Sequence, residues 1–350
     1  MKKLSFLLSI VLTVALLAGC AGTPVVYYSD CTCPAGSHTA VESTKASDAV
    51  DVPAAEGAVK TGLAIVSAIE TADASADAEG SAEFDVTLVA VLVDDNGVIV
   101  DCAIDGIGET VNFDTTGAIT SDVTAEVLTK NEKGDDYGMV AWGGAVAEWY
   151  EQADALAQYA IGKTVEELKS GAVNESGYAA DADLASSATI YLGSYVSAIE
   201  IAAANAEYLG AQAGDELVLA SVNSLASSTD GTAELDCDAV ALTVSGGVIT
   251  SCSLDALQAK VSIGENGAAS VANNLTKNEL GYDYGMVAWA GAAYEWFEQA
   301  DHFAAYVTGK TAEEVSGIAV SEGKAADADL ATSVTISIGG FQALIAKAMQ

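Results

Sequence analysis

The sequence is poor in basic residues, histidine and proline, and each shortage narrows the classes of function. It has 13 Lys+Arg against 50 Asp+Glu, a formal net charge of −37 at pH 7. A chain without a basic surface does not neutralise nucleic-acid phosphates, so we expect no nucleic-acid partner. Two histidines, His38 and His302, leave little room for a histidine metal site or a Ser-His-Asp triad. The last proline is Pro53, so the N-terminal segment differs in kind from the rest.

The N-terminus has the pattern of a secretory signal. Lys2 and Lys3 precede an apolar run over 4–17, which is too short for a membrane span. The run ends Leu-Ala-Gly-Cys20, which resembles the bacterial lipobox, where the cysteine carries lipid. We expect a lipoprotein signal peptide at 1–19, a lipid anchor at Cys20 on the extracellular face of the cytoplasmic membrane, and a flexible tether at 20–58. The alternative is an ordinary cleaved signal with an incidental cysteine.

The whole sequence is 51% hydrophobic, which is enough apolar material for a folded core. The chain after the N-terminal segment contains an internal repeat. Residues 129–154 read TKNEKGDDYGMVAWGGAVAEWYEQAD, and residues 276–301 read TKNELGYDYGMVAWAGAAYEWFEQAD. Twenty of these 26 positions are identical. The period, about 147 residues, is too long for a solenoid repeat. It predicts two tandem copies of one domain, at 59–208 and 209–350.

Each copy has the pattern of strands followed by helices. A β-rich run over 84–93, an Asn96-Gly97 turn and a second run over 98–100 predict a hairpin, and 240–244 with 248–249 repeat it. Gly162 fits a helix end, and Thr164 with Glu167 forms a capping-box pattern that opens the next helix. A last helix is expected over 192–207, and over 341–349 in the second copy. The predicted class is α+β, a small, mostly antiparallel sheet packed with helices.

Apolar residues three and four positions apart predict one long amphipathic helix that begins near residue 142. Its apolar stripe would consist of Trp142, Val146, Trp149, Ala153, Leu156 and Ala160. We expect Trp149 and Trp296 to lie in the core. Glu148, Glu151 and Asp154 would form a solvated acidic face. The equivalent Cys102 and Cys252 are expected as buried thiols.

The hydroxyl cluster Ser186-Ser187-Ala188-Thr189 stands before the last predicted helix of the first copy. Hydroxyls there would cap the helix by accepting its first N–H groups. The same N–H groups and the positive helix end also suit a phosphate, and a threonine hydroxyl could be esterified by one. The sequence alone leaves both interpretations open.

The segment 183–189 resembles the motif D-x-x-S-G-A-T of the FMN-binding domain family, the type found in the sodium-pumping NADH:quinone oxidoreductase and in the related Rnf complex. It matches except that Ser187 replaces glycine, and 329–335 is looser, with Thr332, Ser333 and Val334 departing. The tandem arrangement and the lipobox resemble the two-domain flavin lipoproteins of Gram-positive extracellular electron transfer. The resemblance covers most of 60–350.

The resemblance implies that FMN is joined by phosphoester bonds to Thr189 and Thr335. Asp183 and Asp329 would be recognised by the modifying enzyme, a flavin transferase. The remaining motif positions expected at the cofactor are Ser186, Ser187, Ala188, Thr332 and Ser333. Tyr137, Met139, Tyr284 and Met286 could line a flat slot for the isoalloxazine ring, or could equally be turn residues packed into the core.

These expectations describe a membrane-anchored electron carrier. It would take electrons from a membrane NADH dehydrogenase/quinone system and pass them to an external acceptor, with no catalytic residue of its own. Three alternatives stay open: a surface binding lipoprotein whose domains no longer carry flavin, a reductase whose catalytic partner is a separate chain, and a purely structural surface antigen.

Overall fold

The computed structural model describes residues 57–350. The predicted signal peptide, the lipidation site Cys20, and the tether as far as residue 56 lie outside the described residues. Within 57–350 the structure has helices and antiparallel sheets, which confirms the α+β class.

The first copy contains three strands followed by six helices. The strands are β1 (Lys60–Ala72), β2 (Gly80–Val93) and β3 (Ile99–Phe113). The helices are α1 (Lys130–Lys133), α2 (Met139–Gly143), α3 (Trp149–Ala160), α4 (Val165–Gly171), α5 (Ala182–Ser187) and α6 (Gly193–Ala204), with a 3₁₀ turn at Gly134–Tyr137 between α1 and α2.

The second copy repeats this order and adds short strands. Its first strands are β4 (Glu216–Ser224), β5 (Thr232–Ser245), β6 (Val248–Ile263) and β7 (Ala269–Asn273). Helices α7 (Lys277–Leu280), α8 (Met286–Ala290), α9 (Trp296–Val307) and α10 (Ala312–Ser316) follow, with a 3₁₀ turn at Gly281–Tyr284. The chain ends with β8 (Val320–Ser321), β9 (Lys324–Ala325), α11 (Ala328–Ala331) and α12 (Gly339–Ala348).

Both predicted hairpins form. Strands pair in the orders β1-β2-β3 and β4-β5-β6-β7, antiparallel throughout. The first hairpin turns at Asp94, whose Oδ1 accepts from the N–H groups of Asn96 and Val98, both at 2.8 Å. Gly97 has φ of 76°, the left-handed conformation that this turn requires.

The two sheets face each other, and each also carries its own helices. Alternate side chains of β2 divide between two cores, because successive residues of a strand point to opposite faces. Phe84, Val86 and Leu88 pack with residues of β5 and β6, whereas Val89 and Val91 pack with α3 and α6. The second copy is built the same way over its own helices. The two copies therefore share a core between their sheets.

Polar contacts also join the copies. The hydroxyl of Thr61 on β1 lies 2.7 Å from that of Ser251 on β6, and Ser251 lies 2.7 Å from Thr243. Lys347 near the end of α12 pairs with Glu132 of α1 at 2.5 Å. These buried and half-buried contacts fix the second copy against the first.

The long helix predicted from residue 142 is wrong. The chain forms the short α2, leaves the helix at Gly144 with φ of 64°, and starts α3 only at Trp149. Trp142 and Val146 are consequently exposed rather than on a buried stripe. From Trp149 onward the predicted stripe is correct, and Trp149 and Trp296 lie in the core as expected.

Other local predictions hold. Thr164 and Glu167 form the expected capping box at the start of α4. Gly162 follows the end of α3 with φ of 81°. No helix within 57–350 is both long enough and apolar enough to cross a membrane.

Candidate functional site

The motif containing Thr189 lies at the surface of the helical layer, where residues 181–189 form a ledge. Asp181 caps α5 by accepting from the N–H groups of Asp183 and Leu184. Leu184 and Ala188 are buried and anchor the segment. Thr189 follows α5 in the extended stretch before α6, and it is exposed. The predicted attachment residue therefore lies at the surface.

The second copy presents Thr335 on an equivalent ledge. Asp327 caps α11, and Leu330 and Val334 are the buried anchors. Val334, which departs from the family motif, thus fills an anchoring position where Ala188 stands in the first copy. Thr335 is half-buried, and its hydroxyl donates to Gln299 as the hydroxyl of Thr189 donates to Gln152.

The hydroxyl cluster does not stand at a helix start. Helix α6 begins at Gly193, four residues beyond Thr189, and Ser186 and Ser187 form the C-terminal end of α5. The N–H groups of Thr189 and Ile190 already donate to the side chain of Gln152, at 2.7 and 3.1 Å. The interpretation of this cluster as a helix-terminal phosphate cradle or N-cap is therefore wrong.

A buried glutamine holds each threonine. Oε1 of Gln152 also accepts from the hydroxyl of Thr189 at 3.2 Å, and its Nε2 donates to the carbonyl of Ala147 at 2.8 Å. Gln299 holds Thr335 in the same way, with its Nε2 on the carbonyl of Tyr294. Both glutamines are fully buried. One side chain thus ties the threonine to the loop that precedes α3.

Glu148 is buried, which corrects its assignment to a solvated acidic face. Its carboxylate accepts from the N–H groups of Met139 and Val140 at 2.8 and 3.0 Å, at the start of α2. Glu295 does the same for Met286 and Val287 of α8. A carboxylate suits a helix N-terminus, where unpaired N–H groups carry partial positive charge. Each carboxylate therefore fixes the loop beside the threonine.

An exposed tryptophan stands at the end of this loop in each copy. Trp142 is 90% exposed and Trp289 is 70% exposed. Gly138 has φ of 80°, and the ring of Trp142 lies where a Cβ on this glycine would be, 2.4 Å from that position. The indole N–H of Trp289 donates to the carbonyl of Tyr284 at 3.2 Å. Large exposed aromatic side chains at equivalent positions are typical of a binding surface.

The tyrosines and methionines predicted near the flavin are half-buried. Tyr137 and Met139 pack against the core beneath α3, and Tyr284 and Met286 pack against its equivalent beneath α9. This arrangement is that of turn residues packed against the core. Their role in a slot for a flat ring stays a prediction.

A lysine lies under the buried tryptophan in each copy, but its electrostatic surroundings differ. Lys130 lies 5.2 Å from the ring of Trp149 and pairs with Asp85 at 2.9 Å. Burial opposes its charge, but Tyr195 and Asp85 outweigh burial and raise its pKa. Lys277 lies 4.8 Å from the ring of Trp296. Burial is the largest influence there, and the pKa of Lys277 is lowered.

The remaining predicted residues are mostly on the surface. Asp183, Asp329, Ser187 and Thr332 are exposed, and Ser333 is half-buried. The hydroxyls of Ser186 and Thr332 donate back to the carbonyls of Asp183 and Asp329, at 2.7 and 3.1 Å. The structure therefore places the motif aspartates on the surface.

The buried cysteines are free thiols, as expected. They are Cys102, Cys237 and Cys252. Burial raises the pKa of the Cys102 thiol to about 12, which disfavours the reactive thiolate. In the described part of the chain, no three His, Cys, Asp or Glu side chains come together as metal ligands.

Sequence reasoning missed Gln152 and Gln299 altogether. A signal was present, because Gln152 follows Trp149 by three residues and so lies on the buried side of α3. Its equivalent occurs at the same place in the repeat. A polar residue on a buried stripe must find hydrogen-bond partners, and here one of them is the threonine.

The residues of the ledge fit FMN held by an ester bond better than FMN held by phosphate affinity. Among the described residues, the hydrogen bonds of Thr189 go to Gln152 alone, so its N–H is already used. Asp181 and Asp183 add negative charge to the same ledge. A free phosphate dianion would meet repulsion, whereas an ester bond to Oγ1 of the exposed Thr189 does not depend on free N–H groups.

Comparison with known proteins identifies no relative. No family model matches the chain. Neither a curated protein nor a solved structure matches it.

Proposed function

We propose that this protein is an electron carrier with FMN joined to Thr189 and Thr335 by phosphoester bonds. The observation that carries the proposal is the matched placement of the two threonines. Each ends a motif whose aspartate is exposed, and each is held by a buried glutamine whose amide nitrogen donates to the loop that follows an exposed tryptophan in the chain. The same placement in both copies favours a function that the repeat performs twice.

The chain's own residues hold and present the flavin. Thr189 and Thr335 supply the bond, and the short helices α5 and α11 expose the motif to a flavin transferase. Glu148 and Glu295 fix the loops that carry Trp142 and Trp289. When bound, FMN would supply the capacity to accept and release electrons. The chain would then work without a catalytic residue of its own.

The proposed surroundings follow from the N-terminal sequence. A lipid at Cys20 and the tether would keep the carrier at the extracellular face of the membrane. A membrane NADH dehydrogenase/quinone system would be the electron donor, and an external compound would be the acceptor. The net charge of −37 favours a cationic or neutral acceptor over an anionic one.

The test is the intact mass of the mature chain, measured under denaturing conditions after co-production with a flavin transferase. Wild type should carry two FMN increments, and Thr189→Ala and Thr335→Ala should each lose one. Ser176→Ala is the control, because it removes an exposed hydroxyl outside the motif and should keep both increments. Wild type without any increment would refute the proposal.

A surface binding lipoprotein is the second candidate. The exposed Trp142 and Trp289 favour it, because they could contact a partner protein without any flavin. This candidate predicts a colourless chain even in the presence of the transferase. It also predicts that both threonines can be replaced without loss of partner binding.

A further inference from the structure

In each copy, both the amide oxygen and the amide nitrogen of the glutamine that holds the threonine form hydrogen bonds. In the first copy, Oε1 of Gln152 accepts from the N–H groups of Thr189 and Ile190 and from the hydroxyl of Thr189, while Nε2 donates to Ala147. The side chain is fully buried, so water does not compete for these contacts. A buried amide whose oxygen and nitrogen are both hydrogen-bonded is a rigid support for what it holds.

The second copy reproduces this geometry. Oε1 of Gln299 lies 2.8 Å from the nitrogen of Thr335, 3.1 Å from its hydroxyl oxygen and 3.2 Å from the nitrogen of Ile336. The residue before the threonine differs between the copies, alanine in one and Val334 in the other. The support for the threonine is thus the same although the motif around it has changed.

This contact sets the direction of the threonine hydroxyl. Because Oε1 can only accept, the hydroxyl of Thr189 must point its hydrogen inward at Gln152. The lone pairs of Oγ1 then face away from Gln152. A nucleophilic oxygen needs its lone pair aimed at the reacting phosphorus, and fixing that aim lowers the entropic cost of the reaction.

We propose that Gln152 and Gln299 are positioning residues that aim the hydroxyls of Thr189 and Thr335 for modification. This inference rests on the proposed function. In the reaction, the Oγ1–P bond forms while a phosphoanhydride bond of an activated donor, a flavin dinucleotide, breaks and a nucleoside monophosphate leaves. An amide oxygen is too weak a base to keep the hydroxyl proton, so the hydroxyl must turn its hydrogen to a base of the transferase as the bond forms. During this turn, Oε1 of Gln152 still holds the N–H groups of Thr189 and Ile190 in place.

The experiment measures modification at both threonines of one chain. Full-length wild type, Gln152→Met and Gln152→Glu are treated with the flavin transferase and flavin adenine dinucleotide, and peptide mass mapping follows each threonine over time. Methionine keeps the length of the side chain but removes the acceptor, whereas glutamate keeps the acceptor. In each chain Thr335 is the internal reference, and Gln299→Met provides the mirror experiment.

We expect Gln152→Met to slow modification of Thr189 by about ten-fold or more relative to Thr335, and Gln152→Glu to restore most of the rate. Circular dichroism and the melting temperature show whether each variant is folded. If Gln152→Met does not fold, Gln299→Met decides, because equal rates at the two threonines in that folded variant would overturn the inference. Equal rates at the two threonines in folded Gln152→Met would also overturn it.

The outcomes separate this inference from the proposed function. Wild type that stays unmodified at both threonines would refute the carrier itself. Wild type that is modified twice, with variants modified equally well, would refute only the role of the glutamines.

Discussion

A buried carboxyl group on β6 should make the protein less stable at neutral than at acidic pH. Oδ1 of Asp255 accepts from the N–H groups of Ala256 and Asn278 at 2.7 and 3.1 Å, and so holds the start of α7. Burial is the main cause that raises its pKa to about 7, and the charge of Glu279 adds to it, while the hydrogen bonds, with one from Thr276, oppose the rise. The folded state therefore binds a proton that the unfolded state has released.

The sign and size of the effect follow from this difference. An aspartate in an unfolded chain has a pKa of about 3.9, so between pH 4 and 7 the folded state holds more protons and stability falls as pH rises. A difference of about 3 pH units corresponds to at most about 4 kcal/mol. Above pH 7 the contribution is constant. Asp105, the equivalent residue of the first copy, has its pKa raised by burial as well and acts in the same direction.

The substitution Asp255→Asn tests this reasoning, because asparagine keeps the accepting Oδ1 and removes the charge. Urea unfolding at pH 5, 6, 7 and 8 gives the free energy of unfolding of each variant. We expect Asp255→Asn to be more stable than wild type at pH 8, by up to about 4 kcal/mol, and the difference to shrink towards pH 5. Asp95→Asn, in an exposed turn, controls for the loss of one negative charge. A difference that does not change with pH would refute the argument.

Further predictions concern the loop beside the first threonine and the charge of the chain. Trp142→Ala should change the free energy of unfolding by less than about 0.5 kcal/mol, whereas Trp149→Ala should cost about 3–5 kcal/mol, both by urea unfolding. Gly138→Ala should destabilise by about 1 kcal/mol or more, because its φ is positive and Trp142 occupies the space. Electron transfer to a cationic acceptor should slow steeply with added salt, and stopped-flow rates independent of salt would contradict the charge argument.

Local signals in the sequence were sufficient for much of the fold. The Asn96-Gly97 turn and the capping box at Thr164 depend on neighbours along the chain, and both form as predicted. The error at Trp142 came from following the helical period across Gly144. That glycine adopts a left-handed conformation and ends α2. The sequence Glu148-x-x-Glu151, which forms the cap of α3, marks the true start of the next helix.

The pairing of the sheets was harder to predict. The apolar run over 86–93 predicts a strand, although a strand buried on one face normally alternates apolar and polar residues. The run is continuous because β2 lies between its own helices and the sheet of the other copy. The run itself therefore indicated two buried faces. It did not indicate that the second face would be covered by the repeat.

At the candidate site, the motif located the threonines but not their support. Gln152 lies 37 residues before Thr189 in the chain, and no local pattern connects the two. The same holds for Glu148, whose partners in α2 depend on the loop being folded back. Contacts of this kind come from tertiary packing, which sequence periodicity does not encode.

The two copies act as a comparison made within one chain. What holds the threonine is the same in both, down to the glutamine and its three donors. The residue that contacts the buried tryptophan differs between the copies. Tyr195 accepts from the indole N–H of Trp149, whereas Phe341, its counterpart, packs against the ring of Trp296. Of the two lysines that lie against these tryptophans, Lys130 pairs with Asp85, whereas the salt bridges of the described residues include none for Lys277. The repeat has therefore retained the presentation of the hydroxyl while its electrostatic surroundings changed, as expected if attachment is the requirement the copies share.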